Sequence, residues 1–381
     1  HNSTESTAFI KLKQLLAPFV LRRRKVNVLS QLLPPKERKV EYVPFDELTR
    51  QVYDGILSAH LDRKNNGSAA KPLNIISDTQ ACKNVFTQLR KAANHPLLLR
   101  CRHNNEKEIN HLSHQLFLNG YFGRDASCTI DLVRKELEQF SDFDIHCAAL
   151  DLIEHNPHCR KELERYCLQT DDLYCSPKLV RLRTMLPELI CEGHRILIFS
   201  QWTSCLDLIG CFLESLEYNF LRLDGQTDIS ERQNLIDKFN SDDSIPIFLL
   251  STRAGGMGIN LTAADTCIIH DLDFNPFNDL QAEDRCHRIG QKRPVTIIKM
   301  ITEKTVDSDI YAMQERKAQM NAAILGEGDV KASGKPKSKA QEKKEEKESI
   351  SRIMQNAMDR YLSSPAPKKK PPEDAIIEII E

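Results

Sequence analysis

The sequence predicts an α/β fold: a parallel β-sheet with helices on both faces, preceded by a mostly helical region and followed by a charged, disordered tail. Three observations predict it. Between residues 176 and 302, short and almost wholly apolar segments alternate with longer amphipathic ones, which is typical of buried parallel strands and their covering helices. The preceding region is helical in pattern. The residues after Gly326 are rich in charge and poor in apolar side chains.

The α/β segment contains candidate strands and helices in regular alternation. The strands are short and rich in Ile and Leu, and they read HRILIFS, FLRLD, PIFLLS, TCIIHD and VTIIKMI. The helices repeat apolar residues at helical spacing, and they read WTSCLDLIGCFLESLEY, DISERQNLIDKFN, FNDLQAEDRCHRIG and TVDSDIYAMQERKAQMNAAIL. Such alternation predicts one sheet of ordinary size.

The residues before this segment predict one strand and several helices. KVEYV alternates as a strand does, and DELTRQVYDGILSAHL predicts a helix with Asp46 as its N-cap. DTQACKNVFTQLRKAANHPLLLR predicts a helix that ends before Pro96. Residues 101–175 are helical in pattern and rich in His and Cys, but the short paired spacing of zinc ligands is missing, so we expect a helical insertion without a metal. Within the tail, SRIMQNAMDRYL predicts a short docking helix.

Length and composition limit the possible functions. A chain of 381 residues is long enough for two or three domains. Because the formal net charge is −1, nucleic-acid binding would depend on local patches, and an aromatic content of 6% argues against a single-strand binder built on stacking. No apolar run approaches a membrane span, so we expect no membrane partner. The chain starts at His1, and we expect it to be a fragment of a longer protein.

Two loops follow predicted strands at their carboxyl ends, where parallel sheets form their sites. In FSQWTS, Ser200 and Gln201 can donate to a nucleic-acid phosphate, although ordinary helix capping by Ser200 is an alternative. In STRAGGMGINLTAAD, Gly256 and Gly258 allow close approach of the backbone to an anion. That loop also offers the hydroxyls of Ser251 and Thr252. It does not match the phosphate-binding pattern G-x-x-x-x-G-K-[ST].

A third candidate is the stretch QAEDRCHRIGQ. Gln281, Arg285 and Arg288 are spaced to share one face of a helix, and two arginines on one face suit a phosphate because the guanidinium fork matches its oxygens. The alternative is a solvated helix face on which Glu283 and Asp284 pair with the arginines. We expect the two loops and the arginine helix to converge on one edge of the sheet.

These motifs carry a family resemblance. FSQWTS, RLDGQTDISERQNLIDKFN, LLSTRAGGMGINLTAAD and QAEDRCHRIGQ resemble, in this order, the motifs of the second RecA-like lobe of Snf2-family ATPases. PFVLRRRKVNVLSQLLPPKERKVEY resembles the end of the first lobe, and LRKAANHPLLL resembles the helical region between the lobes. The sequences of these motifs are most similar to those of the Fun30/Etl1-type remodelers, the SWI/SNF-related proteins that contain a DEAD/H box.

The resemblance implies a domain organisation and a function. Residues 1–45 would end the first ATPase lobe, 46–175 would form the helical inter-lobe region, 176–325 would form the helicase C-terminal lobe, and 326–381 would form the charged tail. The parent protein would be an ATP-dependent double-stranded DNA translocase that moves or evicts nucleosomes in the nucleus. Its partners would be double-stranded DNA, histones and its own first lobe.

The resemblance also implies roles for single residues. Arg288 resembles the arginine finger that reaches the γ-phosphate, and Arg285 resembles its companion. The residues expected to bind ATP are Gly256, Gly258, Gln281, Arg285 and Arg288. The residues expected to contact the DNA backbone are Ser200, Gln201, Ser251 and Thr252.

The chain departs from the family pattern in one respect. It contains neither G-K-[ST] after a glycine-rich loop nor a D-E-x-H run, so the resemblance assigns the phosphate loop and the Mg2+ ligands to a first lobe that this sequence lacks. ATP would bind between the two lobes, and we expect the chain alone to be inactive. Two alternatives stay open. One is an RNA helicase lobe, although Gln291 stands where DEAD-box proteins usually have arginine. The other is a non-catalytic DNA- or protein-binding module.

Overall fold

The computed structural model describes five ranges of the chain: 33–66, 79–123, 128–255, 258–325 and 339–363. Several predicted features lie outside these ranges. They include Gly256 of the glycine loop and most of the stretch that resembles the end of a first lobe.

The core of the molecule is a six-stranded sheet in which all neighbouring strands are parallel. Its order is β1-β6-β5-β2-β4-β3. The strands are β1 (Lys36–Val43), β2 (Ile196–Ser200), β3 (Phe220–Leu223), β4 (Ile247–Ser251), β5 (Thr266–Ile269) and β6 (Val295–Thr302). The strands predicted in the α/β segment and their parallel arrangement are therefore confirmed.

The first strand differs from its predicted place. The sequence assigned residues 1–45 to the end of a first lobe, but β1 pairs with β6 along its whole length, from Lys36 opposite Val295 to Val43 opposite Thr302. This sheet therefore reaches back across the predicted boundary at residue 45. The alternating pattern of KVEYV indicates a strand but not its partner, which lies more than two hundred residues away along the chain.

Helices surround the sheet. They are α1 (Glu47–Asn66), α2 (Thr79–Asn94), α3 (Glu106–Leu118), α4 (Ile130–Leu137), α5 (Asp142–His155), α6 (Arg160–Leu163), α7 (Pro177–Cys191), α8 (Thr203–Ser215), α9 (Ile229–Ser241), α10 (Thr252–Gly255), α11 (Pro276–Cys286), α12 (Val306–Leu325) and α13 (Lys339–Ser363). The Thr49 amide donates to Asp46 Oδ1 at 2.6 Å, which confirms the predicted N-cap of α1. Among the described helices, none is long and apolar enough to cross a membrane.

Alternate residues of each strand face two separate cores. In β2, Leu197 and Phe199 pack with α1, α2, α9, α11, α12 and α13, whereas Ile196 and Ile198 pack with α7 and α8. All five residues of β2 and of β4 are buried. A strand buried on both sides has no polar face, and this explains the continuous apolar runs by which the sequence predicts these strands.

The helical insertion has a core of its own. Residues from α3, α4 and α5 pack around Tyr166, which is 1% exposed. The Asp142 carboxylate ties this insertion to the residues after α2, because it accepts hydrogen bonds from the amides of Cys101 at 2.8 Å and Arg102 at 3.0 Å. Over the described part of the chain, no group of three or more His, Cys, Asp or Glu is arranged to hold a metal.

The tail contains an ordered helix where its composition predicted disorder. α13 buries Ile350, Ile353 and Met354 in the core shared with α1, α2 and α12. Arg360 binds Asp309 of α12 through two nitrogens, at 3.0 and 2.5 Å. The predicted docking helix SRIMQNAMDRYL lies within α13 and is confirmed. The overall composition of the tail did not indicate this apolar face, because the first half of α13 is rich in charged residues.

A buried ammonium connects the helical region to the sheet. Lys178, at the start of α7, is 0% exposed. Its Nζ donates to Asn94 Oδ1 at 2.8 Å, to the His270 carbonyl oxygen at 2.8 Å and to Asp307 Oδ2 at 2.6 Å. These partners lie on α2, after β5 and on α12, so one side chain holds three elements together. A buried charge is tolerated only when it is paired and hydrogen-bonded, as it is here.

Replacing Lys178 by Met should therefore lower the free energy of unfolding by about 3–5 kcal/mol, because the Asp307 carboxylate would stay buried without its counter-ion. Urea titration followed by circular dichroism measures this change. The matched control is Lys161→Met, which alters an exposed lysine and should shift the midpoint very little. Equal midpoints for both variants would contradict the structural role of Lys178.

Candidate functional site

The candidate residues lie at two opposite ends of the sheet. Ser200 and Ser251 are register partners at the carboxyl ends of β2 and β4. The arginine segment lies beside the amino end of β5, where the Leu261 amide donates to the Arg285 carbonyl oxygen at 3.1 Å. The prediction that all three motifs converge on one edge is wrong.

The separation follows from the helix that connects β5 to β6. The Asp265 amide, just before β5, donates to the Arg195 carbonyl oxygen just before β2, so the two strands start level. Ser200 lies five residues beyond Arg195, roughly 16 Å further along the strand direction. The eleven-residue helix α11 runs back over about the same length, and it carries the arginines to the other end of the sheet.

At the carboxyl edge, a buried carboxylate organises the loop after β2. The Ser200 side chain is 0% exposed, and its hydroxyl donates to Asp271. The Gln201 amide donates to Asp271 Oδ1 at 3.1 Å. Burial raises the pKa of Asp271, while Arg90 and the Ser200 hydroxyl oppose that change. The expected contact between the Ser200 hydroxyl and a DNA phosphate does not fit, because this hydroxyl is enclosed and already engaged.

Arg90 of α2 completes this arrangement from the helical region. It is 8% exposed, and its Nη2 donates to the Leu272 carbonyl oxygen at 2.7 Å. The same nitrogen lies 3.9 Å from Asp271 Oδ1, and the guanidinium carbon lies 5.5 Å from the centre of the Trp202 ring. Sequence reasoning missed Arg90, because nothing near it in the chain indicates a partner 181 positions away.

The other predicted residues at this edge differ in their accessibility. Ser251 Oγ accepts from the Ala254 amide at 3.2 Å and so caps the short helix α10. Ser251 is 6% exposed and Thr252 is 9% exposed. Gln201 is half-buried, and its Nε2 has no partner among the described residues. Gln201 is therefore the most exposed of the four residues predicted at this end, although its Nε2 atom is itself buried.

The arginine segment is only partly helical. α11 ends at Cys286, so Arg288 lies in the turn that follows and does not share a helix face with Arg285 and Gln281. The turn leads into Gly290, whose φ of 105° is unfavourable for a residue with a side chain. Arg288 nevertheless reaches the glycine loop, because its Nη1 donates to the Gly258 carbonyl oxygen at 2.9 Å.

Within the described ranges, neither Arg285 nor Arg288 forms an ion pair with a carboxylate. Arg285 is 8% exposed, and its Nε has no partner among these residues. Burial lowers the pKa of Arg285, and the positive charge of Arg288 lowers it further, while Asp284 opposes both. Two neighbouring cations, one of them exposed and neither in an ion pair with a described residue, suit a site for a polyanion.

One of the two acidic residues beside the arginines is engaged elsewhere. Glu283 is 0% exposed, and its Oε2 accepts from Lys36 Nζ at 3.1 Å and from Arg38 Nη2 at 2.7 Å. Asp284 Oδ1 lies 3.9 Å from the same Lys36 nitrogen. The alternative that Glu283 neutralises the arginines is therefore wrong. Gln281 is exposed on α11, one turn before Arg285.

Gln291 fixes the loop that carries Arg288. It is 6% exposed, and its Nε2 donates to the carbonyl oxygens of Ala264 at 2.7 Å and Cys286 at 3.0 Å. Its Oε1 accepts from the amides of Lys292 and Arg293, both at 2.9 Å. From the sequence alone, Gln291 served only as evidence against an RNA helicase lobe. Its position directly after a glycine turn is the signal that could have indicated an amide bonded to the backbone.

The other end of α11 is anchored by a second buried amide. Asp279 is 1% exposed, and its Oδ2 accepts from Gln314 Nε2 of α12 at 2.7 Å. Its Oδ1 accepts from the Asp273 amide at 3.2 Å. Burial raises the pKa of Asp279 to about 7, while the Gln314 hydrogen bond and the charge of Lys299 oppose the rise.

Comparisons with known proteins agree with this architecture. Residues 178–290 match the model of the helicase conserved C-terminal domain, and residues 2–98 match that of the SNF2-related domain. The solved structure of the C-terminal part of the Fun30 ATPase domain superposes with a TM-score of 0.64 at 34% sequence identity. That alignment covers 74% of this chain and 89% of the solved one.

Curated relatives are similar over most of the chain. Protein CHROMATIN REMODELING 19 of Arabidopsis thaliana is 41% identical over 337 residues, which are 86% of this chain and 42% of that protein. In Drosophila melanogaster, a homolog of the SWI/SNF-related matrix-associated actin-dependent regulator of chromatin subfamily A containing DEAD/H box 1 is 40% identical over 328 residues. These are 84% of this chain and 35% of that protein. The chain therefore spans less than half the length of these relatives.

The raised pKa of Asp279 predicts a pH dependence of stability. Because the folded state binds this proton more tightly than the unfolded state, the contribution of Asp279 falls as pH rises from 3.8 to about 7. Asp279→Asn should remove this fall and stabilise the protein at pH 8, by up to a few kcal/mol. Thermal unfolding from pH 5 to pH 8 measures the effect. The control is Asp237→Asn, which alters an exposed pair with Gln233 and should leave the pH dependence unchanged.

Proposed function

Because the chain belongs to the Snf2 family of ATPases, among the Fun30-type remodelers related to SWI/SNF, we propose that its parent protein is an ATP-dependent translocase on double-stranded DNA. In this proposal, the chain is the C-terminal lobe of the motor with part of its helical inter-lobe region. It supplies the arginine side of the ATP site and contacts to the DNA backbone.

The observation that carries the proposal is that neither arginine forms an ion pair among the described residues. The Arg285 side chain is buried, its Nε has no partner among those residues, and Arg288 lies exposed beside Gly258. Arg is always charged, and its planar fork matches the oxygens of a phosphate. We assign Arg288 to the γ-phosphate of ATP and Arg285 to the support of that contact. Both would stabilise the charge on the phosphoryl group during transfer.

The remaining parts of the ATP site belong to the upstream lobe. In this proposal, the chain contacts only the phosphate groups of the nucleotide, through Arg285, Arg288 and Gly258. The exposed Gln281 couples the two lobes. Mg2+, when bound, neutralises charge on the phosphates. Within the described ranges, no group of three or more acidic, His or Cys side chains is arranged to hold it. We therefore assign the Mg2+ ligands to the upstream lobe.

The carboxyl edge of the sheet is the proposed DNA surface. Gln201 is a half-buried polar side chain there, Ser251 ends the neighbouring strand, and Thr252 begins a short helix. Such groups contact the phosphate backbone and carry no sequence information, which suits a motor that acts at any sequence. Ser200 and Asp271 hold the loop in place from behind. Closing of the two lobes around ATP would move this edge along the DNA.

The named relatives also suggest where the motor acts. Two of the relatives described above carry chromatin in their names. We propose that the parent protein works in the nucleus and that its substrate is the nucleosome, which it would slide or evict. Partners of this kind would be bound by the full protein.

Arg288→Ala in the full-length protein should lower DNA-stimulated ATP hydrolysis by about 10³-fold or more, because an arginine finger contributes on that scale. The variant should stay folded, since Arg288 is exposed. The matched control is Lys292→Ala, which removes an exposed cation from the same loop and should leave turnover within about twofold. Near-normal hydrolysis by Arg288→Ala would remove the arginine-finger assignment.

The function class is tested by ATP hydrolysis with and without double-stranded DNA. The samples are this chain and a longer chain extended through the upstream lobe. We expect the longer chain to hydrolyse ATP only with DNA and this chain to be inactive. If both are inactive while this chain binds DNA with a steep salt dependence, the non-catalytic binding module is the better description. Stimulation by RNA and not by DNA would favour an RNA helicase.

A further inference from the structure

The residues at the start of β1, from Pro34 to Arg38, contact the arginine segment at two points. The first is Glu283, whose Oε2 accepts from Lys36 Nζ at 3.1 Å, Arg38 Nε at 2.9 Å and Arg38 Nη2 at 2.7 Å. Three charge-assisted hydrogen bonds on one buried oxygen define both its position and its direction. We call the contacts of residues 34–38 with Glu283 and His287 the clasp.

The second point of the clasp is His287. Its Nε2 donates to the Pro34 carbonyl oxygen at 2.9 Å. The backbone beside it is fixed as well, because the Val295 amide donates to the Pro35 carbonyl oxygen at 2.9 Å at the start of the β1–β6 ladder. The carbonyl that receives His287 therefore belongs to a rigid part of the sheet edge.

The two points flank the arginine pair closely. Glu283 precedes Arg285 by two residues, and His287 immediately precedes Arg288. The two ends of this stretch are also joined, because the His287 amide donates to the Glu283 carbonyl oxygen at 3.2 Å. Because each anchor lies within two residues of an arginine, a shift of either anchor would displace the backbone that carries the neighbouring guanidinium group.

The clasp is better suited to positioning than to stability. Glu283 Oε1 is buried without a partner among the described residues, so the carboxylate is only half satisfied. Burying such a charge costs several kcal/mol in desolvation, and an apolar pair of similar volume often stabilises a fold as well or better. What an ion cluster adds is a defined direction, and here that direction fixes the end of α11.

We infer that Glu283 and His287 are positioning residues for ATP hydrolysis, through which residues 34–38 hold Arg285 and Arg288 in register with the phosphate. This inference rests on the proposed function of the two arginines. β1 is the continuation of the chain upstream of residue 33, which the SNF2-related match also covers. The placement of the arginines is thereby tied to the point at which that upstream chain enters this sheet.

The test is Glu283→Gln in the full-length protein, which keeps the shape and removes the charge. Misplacement of a catalytic group by about 1 Å can lower a rate by two orders of magnitude. We expect kcat for DNA-stimulated hydrolysis to fall by about tenfold to 100-fold. The KM for ATP and the affinity for DNA should change less than about twofold. A fall in DNA affinity together with kcat would indicate general damage and overturn the inference.

A matched control breaks another ion pair of the same strand. Arg181 Nε lies 2.7 Å from Glu41 Oε1, which joins β1 to α7 and does not touch the arginine segment. Arg181→Met should leave kcat within about twofold. If it lowers kcat as much as Glu283→Gln does, the effect belongs to the attachment of β1 in general, and the clasp has no specific role.

A double-mutant cycle separates this inference from the proposed function. Glu283→Gln is measured alone and together with Arg288→Ala, by single-turnover hydrolysis, which follows slow reactions. If Glu283 acts through Arg288, the second change should add less than about twofold. A full further loss would mean that Glu283 acts elsewhere, and the inference fails. If Arg288→Ala alone is harmless, the arginine-finger proposal fails first, and that outcome is distinguishable from the other.

Discussion

A single buried ammonium joins the parts of the molecule on which both sites depend. Lys178 begins α7, yet its partners come from α2, from the residue after β5 and from α12. The residue that follows its backbone partner His270 is Asp271, which holds the Ser200 hydroxyl and the Gln201 amide. Losing Asp307 would leave the ammonium without its counter-ion, and losing either neutral partner would remove a buried hydrogen bond, so Lys178 couples the helical region to the strand end.

The proposed ATP and DNA sites are opposite ends of the same few strands. β2 and β5 pair with each other and are buried on both faces, so they form a close-packed connection between the two ends. Helix α11 spans the same distance on one face of the sheet, from Asp279 at one end to Arg285 at the other.

Local patterns predicted local features, and they failed where a distant partner decides. The apolar strands after residue 176, the Asp46 cap and the docking helix depend on neighbouring residues, and the structure has them. The place of β1 depends on β6, more than two hundred residues away. The end of α11 before Arg288 depends on Gln291, which bonds to Ala264 on another loop. The spacing of residues in the sequence predicts a helix that continues through both arginines, because spacing contains no information on the contact between Gln291 and Ala264.

The arginine stretch also shows how acidic and basic side chains can be separated within a segment that has no net charge. QAEDRCHRIGQ contains two acids and two arginines, so its formal charges sum to zero, and pairing within the helix was a reasonable alternative. Positions two apart on a helix point to different sides, so Glu283 cannot follow Arg285 to the same surface. Lys36 and Arg38 draw the carboxylate into the interior, and Arg288 turns towards Gly258. This separation of acidic from basic side chains depends on β1. The Glu283 carboxylate can be buried only because two cations of β1, Lys36 and Arg38, pair with it. β1, whose pairing partner the sequence did not predict, is thus the strand that leaves the arginines available for the proposed phosphate contact.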